Sequence, residues 1–157
     1  MAKYPTRLSD TAHLLAVIQI VREVAERAGG DLRPLLSSAA IARSLHTNPA
    51  YVRKLMGLAS RAGLLRTEKG KANAMLARPA AEISLLDIYR AVEGNNRLLK
   101  LDTHINPACN LGKAIQYALG DAYSEVQAAA EEAMAAISLQ DIISGYYRRM
   151  GADALPD

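Results

Sequence analysis

The turn His46-Thr47-Asn48-Pro49 places the strongest local constraint on this chain. A residue before proline avoids helical geometry, whereas proline itself suits the first position of a helix. A short helix carrying Ile41, Ala42 and Leu45, capped by Ser37 or Ser38, therefore stops here, and a second restarts with Asn48 as its N-cap. In that second helix Val52, Leu55, Met56 and Ala59 fall at i, i+3, i+4 and i+7, which makes one apolar face. Ala50, Arg53, Lys54, Gly57 and Arg61 point the other way. Gly63 ends the helix. "LLRT" and "NAMLA" then read as two short strands joined by "EKGKA", with Gly70 at the bend. Short helix, tight turn, second helix and basic hairpin together predict a winged helix-turn-helix.

Helices flank this unit on both sides. Ser9 reads as an N-cap, and Leu14, Leu15, Val17, Ile18, Val21, Val24 and Ala25 fill most of a helix surface before the break "AGGD" at 28–31. Such a helix is expected to be buried on two sides. "SLLD" at 84–87 and "SLQD" at 138–141 have the form of capping boxes with Asp in place of Glu, so a helix begins at each, the first ending near Gly94. Between them Leu111, Ile115, Ala118, Ala122, Val126, Ala129 and Ala133 make a continuous apolar stripe. A helix of that length, roughly 35 Å at about 1.5 Å per residue, exceeds what a small core needs and reads as a dimerisation helix. The expected fold class is mainly α with a small β-hairpin wing: a winged helix-turn-helix domain over 1–83, then a linker helix, a sensor loop at 95–110 and dimerisation helices over 84–157.

Charge divides the chain in the same way. Residues 1–79 carry 13 Lys and Arg against 5 Asp and Glu, and residues 80–157 carry 6 against 11. A basic half points to a polyanion, and the acidic half to some other task. Because the first part of the second helix of such a motif meets base edges in the major groove, Asn48, Ala50, Arg53 and Lys54 are the groove candidates. Arg can pair bidentately with guanine and Asn with adenine, whereas Lys54 and Arg61 suit phosphates equally well. Arg66, Lys69 and Lys71 on the hairpin are placed to track the DNA backbone or reach the minor groove. Gly57 in mid-helix costs about 1 kcal/mol against alanine, so either a neighbouring helix or a DNA backbone approaches it.

Other chemistries find little support. No Ser-His-Asp signature, phosphate-cradling glycine loop or HExxH occurs, and the acid pair Glu131-Glu132 falls where a helix should be solvated. The reading is not an enzyme. No run of about eighteen uncharged apolar residues is present, and "MAKYPTRLSD" lacks the apolar core of a secretory signal, so no membrane partner and a cytoplasmic location are expected. His13, His46 and His104 have no metal-spaced neighbour, and no metal site is expected. Cys109 stands alone, at or just before the long helix, where the helix dipole favours a thiolate and Lys113 lies one turn on. It is a candidate sensor through sulfenic acid or a disulfide, against the plainer role of a small buried hydrophobe.

The stretch "NPAYVRKLMGLASRAGLLRTEKGKANAMLARPAAEISLLDIYRAVEG" resembles the Rrf2 family of bacterial winged-helix transcription regulators, relatives of IscR, NsrR and CymR. The recognition helix ending in "AGLL", the wing closing in "LARP" and the segment "EISLLDIYRAVEG" carry the resemblance. It implies a homodimer that binds a palindromic double-stranded DNA operator and usually represses, with the helix at about 110–136 as dimer interface. Two departures stand out. Ala72-Asn73 replaces a glycine pair at the wing tip, and Asn tolerates a positive φ where Ala does not. Cluster-binding members place three cysteines before the long helix, whereas "NNRLLKLDTHINPACNLGK" offers Cys109 alone, as in the YwnA-like branch. No iron–sulfur cluster or other cofactor is therefore expected. The functional expectation is a sequence-specific, dimeric regulator, redox- or ligand-responsive through residues 95–110, with a small molecule or thiol as effector. The rival expectation is a protein-interaction module that uses the winged-helix scaffold to dock a partner enzyme or sensor.

Overall fold

Leu14, Leu15, Ile18, Val21 and Val24 are spaced so that one helix can bury apolar side chains on more than one side, and α1 (Arg7–Ala28) does so at the centre of the molecule. The computed structural model describes residues 6–31 and 33–151; the first five residues of the N-terminal stretch read above lie outside them. Helix α1 begins earlier than expected, with Thr6 at the N-cap position, three residues before Ser9. The hydroxyl of Thr6 donates to the Asp10 carboxylate at 3.0 Å instead of accepting from a backbone N–H. After a single 3-10 turn at Arg33–Leu36 follow α2 (Ser38–Ser44), α3 (Pro49–Arg61), β1 (Leu65–Arg66) and β2 (Met75–Leu76). Then come a 3-10 turn at Ala80–Glu82, α4 (Leu85–Glu93), α5 (Asn110–Ala136) and α6 (Leu139–Met150).

The local signals act as their chemistry predicts. Ser37 caps α2 by accepting from the Ala40 N–H, and Asn48 caps α3 by accepting from the Tyr51 N–H. Past the end of α3, Gly63 adopts φ +73°, and the N–H groups of Gly63 and Leu64 reach back to the carbonyls of Ser60 and Ala59. That paired closure satisfies the last turn and aims the chain into the wing. β1 and β2 pair antiparallel with Leu65 opposite Leu76 and Arg66 opposite Met75.

Both capping boxes form, at Ser84/Asp87 and Ser138/Asp141. They also lie side by side, because the Leu85 N–H donates to the Ile137 carbonyl at 2.8 Å and the Leu139 N–H to the Ile83 carbonyl at 2.7 Å. This short antiparallel bridge returns α6 to the main body. There Leu139 and Ile143 enter the same core as Leu14, Ile18, Val52 and Ile88. The core thus spans both sides of the 83/84 division. Tyr147 of α6 fastens the contact: its hydroxyl donates to Glu23 at 2.7 Å and accepts from Arg27 at 2.9 Å. Burial, with Glu23 beside it, pushes the Tyr147 hydroxyl up to about 12.

Helix α5 behaves differently. It buries Gln127 and Met134, and its contacts run to α4. Its apolar stripe faces outward, with Leu111 72% exposed, Ile115 50% and Val126 48%, and Ala118, Ala122, Ala129 and Ala133 all exposed between and beyond them.

Candidate nucleic-acid interface

Burial of Val52, Leu55 and Ala59 leaves the opposite side of α3 to solvent, and Ala50, Arg53, Lys54 and Arg61 all stand exposed there. Arg66, Lys69 and Lys71 are exposed on the adjacent wing. Helix and wing enclose a groove of about 440 Å³ lined by Ser38, Arg53, Gly57, Thr67, Lys69 and Lys71 among others. Of these cations only Lys71 is ion-paired among the described residues, to Glu68 at 2.6 Å. Lys71, with help from Asn73, holds the Glu68 carboxyl below its ordinary range. Glu68 is the single acid in the segment 48–71.

Three features refine the candidate list. The Asn48 side-chain oxygen accepts the Tyr51 N–H at 2.9 Å, so the oxygen that would take an adenine amine is already an acceptor. The Arg53 guanidinium donates to the Ser38 hydroxyl at 3.2 Å, which holds the side chain over the groove. A Cβ on Gly57 would meet the Arg61 guanidinium at 3.4 Å and no other helix, so helix packing does not account for this glycine. The open face remains.

Three long-range contacts place these elements, and none has a periodic signal. Arg22 of α1 donates to the carbonyls of Asn73 at 2.6 Å and Ala74 at 2.7 Å, pinning the wing where it returns to β2. Tyr51 of α3 donates to Asp10 of α1 at 2.9 Å. Ser38 holds Arg53 as described above. At the wing tip the positive φ belongs to Gly70, at +75°, while Ala72 and Asn73 keep ordinary backbone geometry. The altered tip is thus accommodated without strain at either residue.

Cys109 is the N-cap of α5, where its sulfur accepts the Gly112 N–H at 3.3 Å, and it is half-buried. Lys113 meets it through the backbone, donating its N–H to the Cys109 carbonyl. His104 and Asp102 lie 3.1 Å apart on an exposed turn. Glu131, expected to be solvated, is instead half-buried and bonded to Gln127 and Arg90, while Glu132 is exposed.

A short helix, a tight turn, an exposed basic helix and a hairpin wing define a DNA-binding protein of the winged helix-turn-helix class. The profile of the Rrf2 family, described as Iron-dependent Transcriptional regulator, matches residues 8–145, and the chain belongs to this family. YwnA of Bacillus subtilis strain 168, by name an HTH-type transcriptional regulator, is 34% identical over 139 residues, which are 88% of this chain and 96% of YwnA. A crystal structure described as a DNA binding protein is also 34% identical, with TM-score 0.66, covering 87% of this chain and 98% of that one. The fold is shared by T. potens IscR, at 22% identity and TM-score 0.59 over 97% of this chain and 93% of IscR. It is shared too by CymR, the global cysteine regulator of B. subtilis, at 19% identity and TM-score 0.55 over 92% and 98%.

The family description names iron, but the donor set in this chain does not fit a cluster. A cluster needs several thiolates, and Cys109 is the only cysteine. Among the described residues no three His, Cys, Asp or Glu side chains come together as a metal site. Among the described residues no helix is long and apolar enough to cross a membrane.

Proposed function

We propose that this transcription regulator acts as a cytoplasmic homodimer that reads a palindromic operator through α3 and its wing and represses the adjoining genes. The observation that carries the reading is the groove between α3 and the wing, lined by exposed Arg53, Lys69 and Lys71, of which only Lys71 is ion-paired among the described residues. Neutralising phosphates releases counterions, which supplies affinity, while Arg53 supplies sequence preference. The uncovered stripe on α5 supports a second copy, which would set the two reading helices about one DNA turn, roughly 34 Å, or a multiple of it apart.

Residues 95–110 receive the signal. A peroxide oxidises the Cys109 thiol to a sulfenic acid, which a small thiol converts to a mixed disulfide with loss of water; either alters the atom that caps α5, and a small molecule bound beside the segment acts on the same junction. Either must favour one dimer geometry over another to change DNA affinity.

Fluorescence anisotropy with the protein's own upstream DNA tests both parts. Affinity should fall steeply with salt, with a slope near −0.9 per phosphate neutralised. Arg53→Ala should cost about 1–3 kcal/mol and relax one operator position, whereas Lys69→Ala should weaken all sequences alike. Equal losses on specific and random DNA for Arg53→Ala would remove the base-reading role. Cys109→Ser should keep DNA binding under mild peroxide if the thiol is the switch. Salt-independent association with a protein and none with DNA would establish a docking module instead.

A further inference from the structure

The α4-facing side of α5 carries Ser124, Gln127 and Glu131 at i, i+3 and i+7, opposite Arg90 and the start of the 95–110 segment. Gln127 is 9% exposed and uses its whole amide. Its nitrogen donates to the Tyr89 hydroxyl at 3.3 Å and to Glu131 at 2.9 Å, and its oxygen accepts from the Leu98 N–H at 3.0 Å. The Tyr89 hydroxyl in turn donates to the Asn96 carbonyl. One amide therefore ties α4, the 95–110 segment and α5 together. Above it opens a cleft of about 570 Å³, within the roughly 300–1,000 Å³ of small-molecule sites.

The rim of the cleft is charged in both signs. Arg90 meets Glu131 at 3.2 Å, and Arg97 reaches the Ser124 hydroxyl at 3.1 Å. The Gln127 amide, with Arg90 and Arg97 near it, holds the Glu131 carboxyl below its ordinary range, so it is ionised at neutral pH. Exposed pairs of this kind add little to folding. Two guanidiniums and a carboxylate around a polar floor match a small molecule that carries both a carboxylate and an ammonium.

We propose that this cleft binds a free α-amino acid, with its carboxylate on Arg97 and Arg90 and its ammonium on Glu131 and the Asn96 carbonyl. This rests on the regulatory reading above and names the effector class. Binding competes for the Arg90–Glu131 pair, which joins α4 to α5. Because α4 packs on both α1 and α3, a shift there reaches the reading head.

Calorimetric titration of the full chain with each of the twenty standard L-amino acids, one at a time, tests the site. At least one should saturate a single site per chain. The matched amine and the matched des-amino acid should each bind at least about tenfold more weakly, as should the amino acid to Arg97→Ala and Glu131→Gln. Unfolding midpoints like the wild type's would show that these variants are folded. No saturable binding up to about 10 mM, or binding that survives both substitutions, overturns the proposal. A DNA titration run alongside separates the two readings: operator binding without amino-acid binding removes the cleft alone, and amino-acid binding without operator binding removes the regulator alone.

Discussion

The two longest helices put similar apolar content to opposite use. Helix α1, 22 residues long, is enclosed by α3, α4, α6 and β2 and buries side chains on several faces. Helix α5, 27 residues long, meets α4 along one side and leaves a stripe of leucine, isoleucine, valine and alanine in water. Their buried polar groups differ too. The Thr11 hydroxyl in α1 is fully buried with no hydrogen-bond partner among the described residues, whereas Gln127 in α5 satisfies its amide completely. The first helix is thus built for cohesion and bears one polar defect. The second differs: its polar side is wired to the 95–110 segment, and its apolar side is left exposed.

Four substitutions sharpen that contrast. Ile18→Ala on α1 should cost about 2–5 kcal/mol in urea unfolding, because the side chain is fully buried and its truncation leaves a cavity that the surroundings fill only in part. The same loss on both helices would break the comparison. Ala122→Glu on α5 should weaken self-association by at least about a hundredfold, roughly 3 kcal/mol, by sedimentation equilibrium, with helix content by circular dichroism unchanged. A variant as dimeric as the wild type would show that the stripe serves something else. Gly57→Ala on α3 should stabilise the free protein by about 1 kcal/mol yet weaken operator binding, since the Cβ touches only the flexible Arg61 guanidinium, at 3.4 Å, on the face where DNA is expected. Thr11→Val should raise the stability of α1 by up to about 1 kcal/mol by removing the orphan hydroxyl, with no effect on DNA binding.

Much of the fold was legible because its signals are short-ranged. Asn48, Gly63, Ser84 with Asp87, and Ser138 with Asp141 each close hydrogen bonds within a few residues, and each forms where the sequence places it. The start of α1 was misplaced because Ser9 has cap chemistry, but the helix continues back to Arg7 and the carboxylate of Asp10 meets Thr6. The candidate interface was legible in its cations and not in their supports. Nothing in the spacing of Arg22, Ser38, Tyr51 or Asp10 announces that they position the wing, Arg53 and α3. The partners of Glu131 are hidden for the same reason, since a helical pattern shows which residues share a face and not what faces them.

The sequence alone determined the order of the helices and strands, the turn before Pro49, the basic and acidic halves, and the stripe on α5, all of which follow from composition, periodicity and hydrogen bonds between near neighbours. Only the tertiary structure decided that the two capping boxes pair, that α6 returns to the core of α1, and that Gln127 joins three elements above a charged cleft. Those outcomes depend on side chains distant in the chain meeting at hydrogen-bond range, which packing of the core imposes and local sequence does not encode.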